Sequence, residues 1–415
     1  MGLIARIRGA MTPQAQAIQT SHDLAEFLRA GQQTWSGIEV TPEEAMRYAP
    51  FGTAIRVISE SVAQLPFHVH ERSGEDGRER EVRRDHPVDR VFNRKPNSWQ
   101  APFEFREWAT RHAAATGDAF ALKVMVDSGR VLRELVPIHP ARVMVEQDSD
   151  FAVTYRVTMQ DNSQRTFGQR DIFHLRGPSD DGVTGVNMVH RHKEAIALGL
   201  AQDRHAATLF GNGAQPSGVL KTPNKLSDKA WEHLRRWFTE STSGNNANSL
   251  AVLEEGLEFQ ARGMTSEAAQ LLESRKLQRS VVASILRIPP HLIGDLERAT
   301  FSNIEELARS FVDYTLMPWL DRWEQAVDTQ LMGEVERGRV YTKHNVNSLL
   351  RGNAQQRAEF YNAGIQNGWL SPNEAREKED MNPRDGGDEF KPAENLYGDP
   401  DAGSDDNQES SDANE

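Results

Sequence analysis

The chain has no cysteine, which excludes disulfides and thiolate-held metals and leaves the redox compartment open. It has no apolar run near the ~20 residues that a membrane helix needs. Its first residues, Met1 to Arg6, lack the apolar centre of a signal peptide, and Arg6 stands where a myristoylation signal has Ser or Thr. The expectation is a soluble protein with no membrane partner, retained where it is made. P-loop, Gly-x-Ser-x-Gly and His-Glu-x-x-His patterns are missing as well. Common nucleotide, esterase and zinc-hydrolase chemistries are therefore without a motif.

A basic surplus is also lacking. The formal net charge is −13, and Pro383 to Glu415 hold 11 acidic and 2 basic residues, net −9, leaving −4 for the body. Such a body does not advertise tight nucleic-acid binding. The tail is too polar and like-charged to pack and is expected to be disordered. With 415 residues, 38% of them hydrophobic, the chain is long enough for two to four structural units.

Helical spacing of Ala54, Ile58, Val62 and Leu65 predicts a packing helix from Thr41 to Pro66. An aromatic-rich helix follows, then strands in AFALKVMV, VLRELVPI, ARVMVE, AVTYRVTM and DIFHL, with Asp127-Ser128-Gly129, QDSD and QDNSQ as turns. A first long helix carries Val189, Ile196, Leu200, Ala207 and Phe210. A second, from near Thr265, carries Ala268, Leu271, Leu272, Val281, Val282, Ile285 and Leu286 and stops at Pro289-Pro290. Between them lies strand, helix, strand, the helix packing Trp231, Leu234 and Phe238 inward. Ser302 and Glu305 suggest a capping box for a third helix, in which Pro318 predicts a kink. Gly352, Gly364 and Gly368 are expected to divide the remainder into short helices. The fold class is α+β.

The stretch FGNGAQPSGVL tests the catalytic alternative. A dinucleotide cradle needs Gly-x-Gly-x-x-Gly between a strand and a helix N-terminus. Here Pro216 holds the last glycine position and the order is helix, then strand. Gly211, Gly213, Pro216 and Gly218 thus read as a helix exit and turn. His190 and His192 lie two apart on a helix and face different ways, which argues against a metal. Asp180-Asp181 and Glu254-Glu255 are adjacent rather than facing carboxylates and read as solvated turns. Arg275, Lys276 and Arg279 make a basic patch, solvated or intersubunit. Trp231, Trp237, Trp319 and Trp323 read as core or interface. No catalytic residue, metal or cofactor is expected.

Across roughly Thr41 to Asp388 the order of elements resembles the HK97-type portal (head–tail connector) proteins of tailed bacteriophages. The resemblance rests on AIRVISESVAQLPFHVHERSG, DHPVDRVFNRKPN, GDAFALKVMVDSGRVLRELVPIHPARV, DIFHLRG with DGVTG, FGNGAQPSGVL, SRKLQRSVVASILRIPPHLIGDLERATFSNIEE, TLMPWLDRWEQ and NAGIQNGWLSPNEAREKEDMNP. It implies a homo-dodecameric ring at one capsid vertex, a conduit for double-stranded DNA bound transiently and without sequence preference. It further implies contacts with the terminase large subunit, the major capsid and scaffold proteins and a head–tail connector or adaptor protein. The locations implied are the virion and, during assembly, the bacterial cytoplasm.

The implied architecture divides the chain into an extension, 1–40; a β-rich wing, 41–185; a first stem helix, 186–213; a clip, 214–264; a second stem helix, 265–288; a channel loop, 289–302; a kinked channel helix, 303–333; a helical part of the wing or crown, 334–382; and the acidic tail, 383–415. Asp295, Leu296, Glu297 and Arg298 would face DNA, Pro318 would kink the channel helix, and Glu232, Arg235 and Arg236 would meet terminase or connector. The competing readings are a nucleotide-binding enzyme using the 211–218 turn and a capsid or adaptor ring that is not a portal.

Overall fold

The computed structural model describes residues 34–74, 79–126, 131–211, 219–221, 229, 231–232, 236, 258–260, 266–296, 304–346, 354–379 and 381–390. It divides into two units, Met1–Asn345 and Val346–Glu415. In the first, Thr41 caps α1 (Pro42–Arg47) by accepting the Glu44 N–H at 3.1 Å. The chain then turns extended at Tyr48 before α2 (Ala49–Gln64), so the single helix expected from the spacing is two. Pro50 sits in the first turn of α2, where a missing N–H costs no hydrogen bond. The predicted face, Ala54, Ile58, Val62 and Leu65, is fully buried.

Three antiparallel three-stranded sheets follow. β1 (Phe67–Ser73) lies between β2 (Glu79–Val82) and the distant β11 (Val340–His344), with Phe67 opposite His344. After α3 (Pro87–Asn93) and α4 (Pro102–Thr116), β3 (Asp118–Val126) lies between β4 (Val131–Ile138) and β8 (Ile172–Arg176). β5 (Val143–Gln147), β6 (Val153–Thr158) and β7 (Gln164–Gly168) form a meander. Phe120 and Ile172 of one sheet and Tyr155 and Val157 of the other close a shared core. The spacing missed β1, β2, β7 and β11. EREV and QRTFG lack the β-branched alternation that marks a half-buried strand, and in FHVHERS and VYTKH the alternation is only two apolar or β-branched residues long before charged residues and histidine interrupt it.

The long helices are α5 (Met188–Arg191) and α6 (Lys193–Gly211), separated at His192, and α7 (Ser266–Leu286). Between them β9 (Val219–Lys221) pairs antiparallel with β10 (Glu258–Gln260). The third helix consists of α8 (Ile304–Ser310), a π-helical turn (Phe311–Leu316) and α9 (Met317–Leu331). Trp323 of α9 is fully buried against the edges of Phe92 and the tilted ring of Phe173, and its indole N–H donates to Thr110 at 2.9 Å. An aromatic cluster of this kind joins α3, α4, β8 and α9 into one core.

In the second unit α10 (Ala354–Gln366) runs through Gly364 without a break and ends before Gly368, whose φ is 71°. Ser371 and Glu374 make a capping box for α11 (Pro372–Lys378). Asn373 then fastens the following turn: its amide donates to Arg384 O (3.0 Å) and Asp388 (2.9 Å), and its side-chain oxygen accepts the Arg384 N–H (2.9 Å). Residues 383–388, assigned by composition to a disordered tail, are therefore folded, because one buried asparagine supplies the partners that their own side chains lack. The rest of the tail, from 391, and the N-terminal 33 residues lie outside the described residues.

Candidate functional site

α6 and α7 are fastened side by side. Arg275 pairs with Asp203 at 2.6 Å, Gln202 donates to Ser274 at 2.7 Å, and Gln278 donates to the Ala195 carbonyl at 2.5 Å. Arg275 is thus an internal partner rather than part of an open basic patch. In α7, Val282 and Leu286 of the predicted apolar face are covered, with Ala283 beside them, whereas Leu272 of that face is exposed, as is Leu277.

The end of α7 is a Schellman cap. The Arg287 N–H bonds Ser284 O (3.2 Å), the Ile288 N–H bonds Ala283 O (2.8 Å), and Arg287 takes φ = 57°, a left-handed conformation usually given to glycine. Pro290–Ile293 then forms one 3-10 turn closed by Gly294 at φ = 84°. The Asp295 N–H returns to Pro290 O (3.0 Å), and its carboxylate accepts from the Ser280 hydroxyl (3.3 Å). Of the four residues expected at the loop tip, Asp295 is tied back to α7, Leu296 is exposed, and Glu297 and Arg298 lie outside the described residues. So do Ser302 and the proposed start of the cap.

Pro318 occupies the first turn of α9, directly after the π-helical turn. The expected disturbance is there, but as a π segment: the Met317 N–H reaches back five residues to Val312 O. A proline at 318 cannot donate to Tyr314 O and crowds it, and widening the preceding turn relieves that contact. Phe311, Val312, Thr315 and Leu316 are buried, and Asp313 and Tyr314 face outward.

α9 is clamped to the sheet. Gln330 exchanges two hydrogen bonds with the backbone of His174, both 2.8 Å, and the Lys123 ammonium bonds the carbonyls of Gln330 (2.9 Å) and Gln169 (3.1 Å). Burial lowers the Lys123 pKa to about 8. His174 donates its ring Nε2–H to the Asp118 carboxylate (2.8 Å), which also accepts the Gly185 N–H (2.8 Å) where Gly117 and Gly185 leave no room for a Cβ. These are packing networks.

Gly211 is the last described residue of α6, and Gly213, Pro216 and Gly218 lie outside the described residues, β9 starting at Val219. Lys229, Trp231, Glu232 and Arg236 are helical and exposed, and Arg235 is outside the described residues. Trp231, expected inward, is 54% exposed: a stripe of helical spacing says which residues share a face, not that the chain itself covers that face. His190 is exposed, and among the described residues no cluster of His, Asp or Glu could hold a metal. Asp181 caps a turn by accepting from Ser179, Val183 and Thr184, which holds its carboxyl well below the usual range, and Asp180 pairs with Arg191. No described helix is long and apolar enough to cross a membrane.

A family model described as "Phage portal protein" matches residues 51–380. The portal protein of Enterobacteria phage HK97 is 31% identical over 352 residues, covering 84% of this chain and 82% of that protein. The probable portal protein of Streptomyces phage phiC31 is 30% identical over 361 residues, covering 84% and 78%. Two solved structures share the fold. The neck of a native gene transfer agent particle computed with C12 symmetry matches with a TM-score of 0.56 and 22% identity, over 88% of this chain and 95% of that one. An HK97-family phage portal protein from Corynebacterium diphtheriae matches with a TM-score of 0.52 and 19% identity, over 76% and 98%.

Proposed function

The chain belongs to the phage portal protein family, and from that premise we propose that it forms a twelve-membered ring at one capsid vertex through which double-stranded DNA enters and leaves. The observation that carries this reading is the pair α6 and α7 with the loop and π-interrupted helix that follow, in a chain whose similarity to a portal protein spans 84% of its length. The similar neck with C12 symmetry supports the copy number. In this reading residues 41–185 are the wing, α6 and α7 the stem, 214–264 the clip, 289–302 the channel loop and 303–333 the channel helix.

Glu232, Arg235 and Arg236 then serve contacts with the terminase large subunit and with a head–tail connector, and the wing meets major capsid and scaffold proteins. The role is structural rather than enzymatic, in keeping with the family. Weak phosphate binding suits a conduit, because each Lys or Arg contact adds salt-dependent affinity that resists sliding. The near-neutral body meets that requirement. Particle imaging of the purified full-length chain tests the reading: closed rings of twelve are expected, and a chain that stays monomeric at every concentration overturns it.

A further inference from the structure

Where α1 gives way to α2, Tyr48 is only 4% exposed, yet its hydroxyl makes no hydrogen bond among the described residues. It lies over Gly199 of α6, where no Cβ would fit, and lines a cleft of about 260 Å³ with Gln202, Asp203, Arg275, Arg279 and Gly294. Asp203 is already matched by Arg275. Arg279, partly buried in the same wall, has no ion pair or hydrogen bond among the described residues. The Tyr48 hydroxyl and the half-buried Arg279 guanidinium therefore both line this cleft with donors that no described residue accepts. Burial, followed by the Asp203 charge, raises the Tyr48 pKa to about 12, so the hydroxyl stays a donor. Two donors lining one cleft suit an anionic oxygen.

The chain itself carries a matching surface. On the outer side of α8, the π turn and α9, Glu306, Asp313 and Asp321 are exposed and have no ion pair among the described residues, and Tyr314 beside Asp313 is 66% exposed. A ring needs an interface of this kind, since each copy shows one face to the next and a different face to the previous one. We propose that the Tyr48–Arg279 cleft is a carboxylate site completed by a second copy of this chain, whose Asp313 enters it while the neighbouring Tyr314 packs over the rim.

The proposal rests on the ring reading and names which surfaces close the ring. It also places the contact at the base of the channel loop, because Gly294 lines the cleft and the π turn bears the incoming carboxylate. Neighbouring copies would thus sense each other's loop positions.

The test is a charge exchange in the full-length chain, read by imaging and sedimentation. Arg279→Asp and Asp313→Arg should each raise the concentration needed for ring formation on the order of tenfold or more, and together they should restore it. Tyr48→Phe should leave the melting temperature of the unassembled chain unchanged and still weaken ring formation, which a purely packing role for Tyr48 would not produce. Rings formed by Arg279→Asp as readily as by the wild type overturn the proposal. So does a double variant no better than its single parents when both parents melt like the wild type. Loss of DNA retention with intact rings would instead assign the cleft to phosphate. A wild-type chain that forms no rings removes the ring reading itself, an outcome separate from any variant effect.

Discussion

The Thr315 hydroxyl donates to the main-chain carbonyl of Arg287, joining the π turn of the third helix to the left-handed residue that ends α7. A threonine in a regular helix often bonds the carbonyl one turn back. Here that hydroxyl crosses to another element, and the two backbone irregularities are held by one bond. Irregularities that persist in a packed interior do so because their surroundings fix them.

Replacing Arg287 with Gly should stabilise the chain by about 1 kcal/mol, since glycine accepts the left-handed conformation that arginine adopts at a cost. Thr315→Val keeps the shape and leaves the Arg287 carbonyl without this donor, so it should destabilise by about 1–2 kcal/mol. Melting temperatures of both variants give the check. A lower value for Arg287→Gly would mean that the arginine side chain, not the backbone, holds this end of α7.

Acid should weaken the fold before the carboxylates titrate. His112 packs 4.9 Å from both Trp108 and His139, and burial, with the His139 and Arg111 charges, lowers its pKa from 6.5 to about 4. Burial also lowers His174 and His344, in spite of their hydrogen bonds to Asp118 and Glu324. Between the two values the unfolded chain binds a proton that the folded chain refuses. Stability is therefore full above about 6.5 and falls as pH drops from there toward 4, by at most about 3 kcal/mol for His112. The difference in melting temperature between pH 7 and pH 5 should shrink in His112→Phe; an unchanged difference would show that His112 is protonated in the fold.

The boundary of the C-terminal fold should lie after Asp388. Truncation there removes an acidic segment and should leave the melting temperature of the second unit unchanged. Truncation after Asn382 removes the partners of the Asn373 amide and strands a buried polar side chain, a loss of about 1–3 kcal/mol. Equal melting temperatures for the two truncations would refute the role given to Asn373.

These cases separate what spacing reveals from what it hides. Trp319, Trp323 and Val327 recur at helical intervals, and each is buried, because α9 has its partners within the same chain. The same rule applied to Trp231 and Leu272 fails, since both are exposed and helical spacing alone does not say what covers a shared face. The pairing of β1 with β11 joins residues far apart in sequence, and nothing in VYTKH alone announces its partner. At the candidate site, Pro318 signals a disturbed helix but not whether the disturbance is a bend or an extra residue per turn. Arg287 gives no signal at all, because its conformation is set by the cap and by Thr315. The Tyr48–Arg279 cleft is equally silent, being assembled from α2, α6, α7 and the 3-10 turn.

Pro318→Ala examines the link between the helix irregularity and the channel. Alanine restores an N–H and removes the ring that crowds the Tyr314 carbonyl, so the turn from Phe311 to Leu316 is free to take the ordinary α register. One residue fewer in the π turn corresponds to a rotation of about 100° and a shift of about 1.5 Å of α8 against α9. The segment 297–303, which leads into α8, must follow. Replacing Asp295 through Ala299 with Gly and Ser acts on the same place by another route: it removes the Asp295 tie to Ser280 and the side chains proposed to face DNA. The loop variant should assemble into rings, because Arg279 and Asp313 are untouched, whereas Pro318→Ala also moves Asp313; both should lower the length or the retention of packaged DNA. Hydrogen exchange over 311–316 should change in Pro318→Ala alone, which separates the two causes. Packaging into proheads, scored beside ring formation, decides the matter. Normal filling and retention in the loop variant would falsify its channel role, and failure of its rings would make the loop an assembly element instead.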